Sequence, residues 1–180
     1  NTAMDAARVA LRMQKINSIN DGKVTVLYRR TELEMPARKV EIEHAKEEGV
    51  EFQFLVQPIE FIGDKDGKVM GIKCLRCELG EPDESGRRRP VPIKNSEFII
   101  DTDLVIVAIG LQANQTLSNT VSELKTNKWG DIIVNPETME TSIENVYAGG
   151  DIVGGEGTII EAMSMGKKAA RSILQKFGLI

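Results

Sequence analysis

Three short stretches of this chain combine residue types and spacings that could do chemistry. The first is Arg29-Arg30, directly after the apolar run Lys23-Val-Thr-Val-Leu-Tyr28. Two guanidiniums at the end of a buried strand can pair with a phosphate through charge-assisted, forked hydrogen bonds. Two solvated arginines would look the same in sequence. The second is Tyr147-Ala-Gly-Gly-Asp151. Small residues let backbone approach a ligand closely, and the carboxylate of Asp151 can accept from a sugar-like hydroxyl. A plain turn is the competing reading. The third is Gly154-Gly-Glu-Gly-Thr-Ile-Ile-Glu161, which opens the last helix. Free N–H groups at a helix start favour an electron-rich acceptor, although Thr158 could simply be a cap. Gly-Gly-Asp followed at fixed spacing by Thr at a helix start is more specific than either part.

The elements that must position these residues follow from periodicity. Residues 2–14 are strong helix formers, with Ala3, Ala6, Ala7, Ala10 and Leu11 on one small-residue face and Asn1 as a good N-cap residue. A helix of this kind, followed by a strand, belongs in a dinucleotide fold, where the pyrophosphate sits on the helix N-terminus. Asn1, Thr2 and Ala3 match the last three positions of a G-x-G-x-x-A fingerprint, and no glycines precede them. In such folds an acidic residue after the second strand favours NAD, whereas Arg29 and Arg30 favour NADP.

Further along, a helix is expected from about Pro36 to Glu48, closed by Gly49, and a strand from Val50 to Val56. Pro58 to Ile62 and Lys68 to Leu79 read as strands joined through the turn Gly63-Asp-Lys-Asp-Gly67. Gly80 to Pro92 reads as an exposed hairpin loop, and Asn95 to Ile100 as a strand. Asp103 to Gly110 is the most apolar run and suits a strand covered on both faces. Ile132 to Val134 and Asn145 to Ala148 read as short strands. Thr158 to Lys176 reads as the last helix, with Ile160, Met163, Gly166, Ala169, Ala170 and Ile173 on its apolar side. Helices alternating with strands around an antiparallel insertion indicate an α/β fold with a meander.

Bulk properties exclude several classes. Lys and Arg number 23 against 27 Asp and Glu, a net charge of −4 that argues against nucleic-acid binding by the whole chain. No apolar run approaches the ~18 residues of a membrane span, and no signal peptide is visible. Cys74 and Cys77 lie three apart on an expected strand, so their sulfurs should diverge rather than bridge. Few thiols and no secretory signal suggest the cytoplasm.

The residues as a set resemble the small (beta) subunit of NADPH-dependent glutamate synthase and related flavoproteins with two dinucleotide-binding domains. The stretches that carry the resemblance are Asn-Thr-Ala-Met-Asp-Ala-Ala-Arg (1–8), Tyr-Arg-Arg (28–30), Glu-Met-Pro-Ala (34–37), Ala-Lys-Glu-Glu-Gly-Val-Glu-Phe (45–52), Gly-Glu-Pro-Asp (80–83), Ser-Gly-Arg-Arg-Arg (85–89) and Tyr-Ala-Gly-Gly-Asp-Ile-Val (147–153). The resemblance implies a truncated Rossmann-like NADPH-binding domain over 1–108, lacking its first strand and glycine loop, with an antiparallel β insertion. It implies that 109–180 is the C-terminal piece of a Rossmann-like FAD domain. It further implies that Arg29 and Arg30 hold the NADPH 2′-phosphate and that Asn1, Thr2 and Ala3 flank its pyrophosphate. Gly110, Gly150 and Asp151 would contribute to cofactor binding, the last two near the FAD ribityl and pyrophosphate. Thr158 and Ile159 would offer N–H groups to the flavin ring.

The expected activity of the parent is hydride transfer from NADPH to FAD, then electron transfer to a large glutamate synthase-type or other accepting subunit. Iron–sulfur clusters would lie in an N-terminal region that these residues do not include, and Cys74 and Cys77 do not replace their ligands. The chain is thus expected to be an inactive fragment without FAD. Alternatives are a cofactor-free module that forms homo-oligomers, or a piece of a related transhydrogenase or of a dihydropyrimidine dehydrogenase-like electron-transfer subunit.

Overall fold

A computed structural model describes residues 1–19, 22–155 and 157–180. The chain divides into two compact units, Asn1–Gly110 and Leu111–Ile180.

The first unit begins with helix α1 (Thr2–Ile16), strand β1 (Thr25–Tyr28), helix α2 (Lys39–Glu48) and strand β2 (Glu51–Phe54). β1 and β2 pair in parallel, from Thr25 opposite Glu51 to Tyr28 opposite Phe54. Parallel neighbours need a crossover, and α2 supplies it. Gly49, at φ 104°, ends α2 in the left-handed conformation that glycine adopts without a Cβ clash. α2 starts three residues later than expected, because Pro36 lies in an irregular segment that follows a single 3₁₀ turn, Glu32–Glu34. The buried stripe of α1 is Met4, Ala7 and Leu11; of the face read from sequence Ala7 and Leu11 are buried and Ala3, Ala6 and Ala10 half-buried, and Met4 joins it. Met4, Ala7 and Leu11 pack with Ile42, Ala45 and Val50.

Across the outer surface of the helix pair, Arg8 and Arg12 both bond the Glu48 carboxylate, and Arg8 also reaches Glu41. Hydrogen bonds from Arg12 and then Arg8 hold the Glu48 carboxyl down to about 2. A depressed carboxyl pKa adds stability above the unfolded value, and that stability is lost as pH falls through the folded one. Glu48→Gln should therefore be less stable than the parent at pH 7, with the difference closing between pH 4.5 and about 2. Urea titrations at several pH values read this directly. A difference that persists at pH 2 would contradict the assignment.

The antiparallel part contains β3 (Val56–Gly63), β4 (Val69–Pro82), β5 (Arg88–Pro92) and β6 (Phe98–Asp101). β4 is the central strand and pairs with the other three. The turn between β3 and β4 forms as expected, with the Asp64 carboxylate accepting from the N–H groups of Asp66 and Lys68. The stretch Gly80 to Pro92 is not a loop. β4 runs through to Pro82 and β5 returns from Arg88, so only the tip is irregular. The expected strand Val50 to Val56 is interrupted at Leu55, whose φ of 57° separates β2 from β3. Cys74 packs with Val56 and Ile72, whereas the Cys77 thiol turns to the Gln57 side-chain oxygen at 3.9 Å. Both are free and buried, and burial pushes both thiols up.

The largest correction concerns Asp103 to Gly110. No strand forms there, and Leu104, Val107 and Ile109 are 70%, 61% and 91% exposed. β propensity expresses fitness for a paired, half-covered surface. Among the described residues this run has no ladder partner, and only Val105 packs against the β3–β4 core.

In the second unit, α3 (Thr116–Thr120) precedes a chain of turns, and α4 (Ile159–Lys176) closes it. The two short strands expected at Ile132 and Asn145 reduce to isolated bridges, Thr126 with Ile132 and Glu140 with Tyr147. Leu124, Ile132 and Met139 are buried. α4 turns Ala162, Met165 and Ala169 inward, while Ile160, Met163 and Ala170 of its expected apolar side are exposed. No helix among the described residues is long and apolar enough to cross a membrane.

Candidate functional site

The first unit gathers its candidate residues at one edge. A helix and the strand that follows it in a crossover run antiparallel, so the N-terminus of α1 and the C-terminal end of β1 share that edge. A hydrogen bond also brings the start of α2 to the mouth of α1. The Arg38 backbone N–H donates to the Asn1 side-chain oxygen at 3.0 Å, tying the segment after β1 to the mouth of α1. Asn1 thus caps by position but spends its side chain on the neighbouring segment. Its carbonyl accepts from Met4 and Asp5. Helix geometry leaves the N–H groups of Thr2 and Ala3 with no intrahelical acceptor.

At the end of β1 the two arginines part company. Arg29 is exposed, and Arg30 is only 7% exposed. The Arg30 guanidinium donates to Asp83 Oδ2 and, from Nε, to the Arg88 carbonyl, each at 2.7 Å. Beside it, the Tyr28 hydroxyl donates to the Glu34 carbonyl at 2.9 Å. The Glu34 carboxylate accepts from the Thr31 hydroxyl and N–H, closing a reciprocal cap on the 3₁₀ turn. The Thr31 hydroxyl hydrogen bond in particular holds the Glu34 carboxyl below its usual range. The end of β1 is therefore framed around Arg30, with Arg29 exposed beside it. Gly110, at φ 89°, has open space around it. It is the last residue of the first unit.

The second unit places Gly150, Asp151, Thr158 and Ile159 around the start of α4. Gly149 presses on the helix: a Cβ there would stand 2.9 Å from Met165 Cβ. Gly150 adopts φ 79° and ψ −157°, a region only glycine enters without strain. Its N–H donates to the Met165 sulfur at 3.1 Å. Asp151 follows, exposed, at the head of a 3₁₀ turn. A Cβ at Gly157 would come within 4.0 Å of Asp151 Oδ1, so the loop before α4 passes beside that carboxylate. Glu156 of the glycine-rich loop lies outside the described residues. Thr158 is the N-cap, its hydroxyl accepting from Glu161 N–H at 3.2 Å. Among the described residues no side-chain cap is seen at the N–H groups of Ile159 and Ile160, and both side chains are about four-fifths exposed (80% and 82%).

Sequence reasoning missed Asp83, Glu34 and the Asn1–Arg38 link. The Asp-x-Ser-Gly pattern at 83–86 does announce a turn, but nothing local indicates that its carboxylate meets Arg30, 53 residues away.

The chain is 45% identical over 175 residues to the beta subunit of an NADP(+)-dependent formate dehydrogenase from Moorella thermoacetica, covering 97% of this chain and 24% of that protein. It is 38% identical over 177 residues to the small chain of NADPH glutamate synthase from Escherichia coli, covering 97% and 36%. The resemblance carried by Tyr-Arg-Arg and Tyr-Ala-Gly-Gly-Asp is thereby met. The chain spans roughly a quarter to a third of the length of these relatives. Among solved structures it matches the thioredoxin reductase of T. acidophilum with a TM-score of 0.64 at 25% identity, covering 86% of this chain and 44% of that one. Residues 1–166 match the family described as pyridine nucleotide-disulphide oxidoreductase, and the chain belongs to that family.

Proposed function

We propose that these residues form the NADPH-binding portion and the closing FAD-binding segment of a larger oxidoreductase that takes hydride from NADPH and passes electrons to a partner subunit. The observation that carries this reading is the edge of the first unit. Uncapped N–H groups at the mouth of α1, which the Asn1–Arg38 bond ties to the start of α2, and the exposed guanidinium of Arg29 after β1 support it. A pyrophosphate suits the first and a 2′-phosphate the second. Names of the relatives agree, since NADP or NADPH appears in both.

In the second unit, Asp151 would accept a hydroxyl of the FAD chain, and the N–H groups of Thr158 and Ile159 would face the flavin pyrimidine end. The absence of a Cβ at Gly149 and Gly150 lets the turn lie flat against α4 and carry Asp151 forward. When bound, the nicotinamide and flavin rings supply the hydride chemistry themselves, and the protein's part is to hold and orient them. No side chain is assigned as acid or base. Onward transfer would use iron–sulfur clusters and an accepting subunit outside residues 1–180.

Calorimetric titration of the purified chain with NADP and NAD tests the reading. NADP should bind at least about ten-fold more tightly, the scale of one charge-assisted contact. Equal affinities would overturn the 2′-phosphate assignment. A visible spectrum should show no flavin bands, since these residues hold only part of the proposed FAD site.

A second reading, self-association of the isolated chain, is favoured by the exposed run Leu104, Ile106, Val107, Ile109 and Leu111. An exposed apolar run with no ladder partner among the described residues invites another chain. Light scattering at micromolar concentration should give a dimer or larger species. A monomer would dispose of it.

A further inference from the structure

We propose that Arg29 alone reads the 2′-phosphate, and that Asp83, from the inserted β4–β5 hairpin, is a specificity-determining positioning residue that pins Arg30 so that Arg29 is presented. The inference rests on the NADPH reading above and changes its division of labour.

The hairpin tip is built to hold one guanidinium. Asp83 Oδ1 is consumed by its own turn, accepting from the Ser85 hydroxyl and N–H and from Arg87 N–H. Oδ2 is left over, and Arg30 takes it. The Ser85 hydroxyl, foremost, and the turn N–H groups keep the Asp83 carboxyl below its usual range, so it is ionised at neutral pH. The second Arg30 contact is a carbonyl at Arg88, across the same tip. Arg88 itself is spent on the carbonyls of Leu79 and Gly80, which stiffens the frame. The backbone joins in: the Arg30 carbonyl accepts from Leu55 N–H at 3.1 Å.

Arg30 therefore has its carbonyl, Nε and Nη2 all fixed, and its side chain is only 8% exposed. To reach a ligand it would have to leave a carboxylate in a partly desolvated site, which costs more than an exposed pair would. Among the described residues Arg29 makes no such bond, and it stands in solvent. Both lie in the bend after β1, where Arg30 is anchored and buried while Arg29 stays exposed. Arg30 is thus a strut, and Arg29 is the reader.

Binding of 2′,5′-ADP and of 5′-AMP isolates the 2′-phosphate without any need for a flavin. The chain as it stands should prefer 2′,5′-ADP by about ten-fold or more. Arg29→Ala should bring the two affinities together by weakening 2′,5′-ADP only. Asp83→Ala and Arg30→Ala should each lower the preference by about three- to ten-fold with 5′-AMP unchanged, and the double variant should be no worse than either, as for partners in one contact. If Arg30→Ala does not fold, Arg30→Lys serves, because a lysine keeps the charge but cannot fork to both Asp83 and the Arg88 carbonyl.

Retention of the full preference in Arg30→Lys together with its loss in Arg30→Ala would make Arg30 the phosphate ligand and overturn the proposal. So would tighter 2′,5′-ADP binding by Asp83→Ala, which would mean that Asp83 withholds Arg30 from the ligand. A chain that binds 5′-AMP and 2′,5′-ADP equally would remove the NADPH reading itself. A preference that survives Arg29→Ala would remove only the present inference.

Discussion

Met4→Ala should destabilise the first unit by about 2–5 kcal/mol, the range for truncating a fully buried long side chain. Met4 has no exposed surface and sits among Ala7, Leu11, Ile42, Ala45 and Val50. Two of those neighbours are alanines, already short, so the cluster has little side chain with which to refill the space. The loss has a second consequence, because Met4 is in the first turn of α1, where its N–H bonds the Asn1 carbonyl at 2.8 Å. A cavity there loosens the turn that sets Thr2 and Ala3 at the proposed pyrophosphate position. Met4→Leu keeps the volume and should cost less than about 1.5 kcal/mol. Hydrogen exchange at Ala7, Leu11 and Ala45, with urea titration by circular dichroism, measures both. A cost for Met4→Ala below about 1 kcal/mol would mean that the helix pair repacks freely, against the close packing described.

Much of this architecture was legible because its signals are local. Gly49 ends α2 where a left-handed residue was required, Gly63 to Gly67 turns β3 into β4, and Thr158 caps α4. The family was legible for the same reason, through compact motifs at 28–30 and 147–153. What sequence periodicity misjudged depended on partners far away in the chain, or on partners not found among the described residues. The run 103–110 has every mark of a buried strand, yet burial needs neighbours, and among the described residues it has no ladder partner. The apolar side of α4 was expected at Ile160 and Met163, yet both are exposed, and of that side Ala169 is half-buried, alongside Ala162 and Met165. A stripe reports that a face is apolar and not which surface covers it. Arg29 and Arg30 looked equivalent for a related reason. Only the hairpin 53 residues away distinguishes them, because it offers Asp83 to one and nothing to the other.

The Gly149–Gly150 turn shows how two adjacent glycines can be required for different reasons, and it yields the second large effect. Gly150 needs its backbone conformation, whereas Gly149 needs the space. A Cβ at Gly149 would lie 2.9 Å from Met165 Cβ, 3.6 Å from the Met165 carbonyl carbon and 3.8 Å from Gly166 N. Met165 Cβ is fixed to the helix backbone, so no rotamer change relieves the contact; α4 or the turn must move. Gly149→Val should therefore cost the second unit about 1–3 kcal/mol from overpacking. It should also displace Asp151, two residues on. Trp129, the chain's single tryptophan, belongs to this unit, so its fluorescence follows the transition. Gly166, one residue beyond Met165 in α4, provides the contrast. A Cβ there meets nothing within 4 Å. Gly166→Ala should stabilise the helix by up to about 1 kcal/mol, the helix-propensity difference. Opposite signs at these two glycines, on either side of one contact, would establish that α4 is seated on the turn by steric fit. Equal stability of Gly149→Val and the parent would show instead that the turn and the helix are free to separate, and Asp151 would then lack the support its proposed role requires.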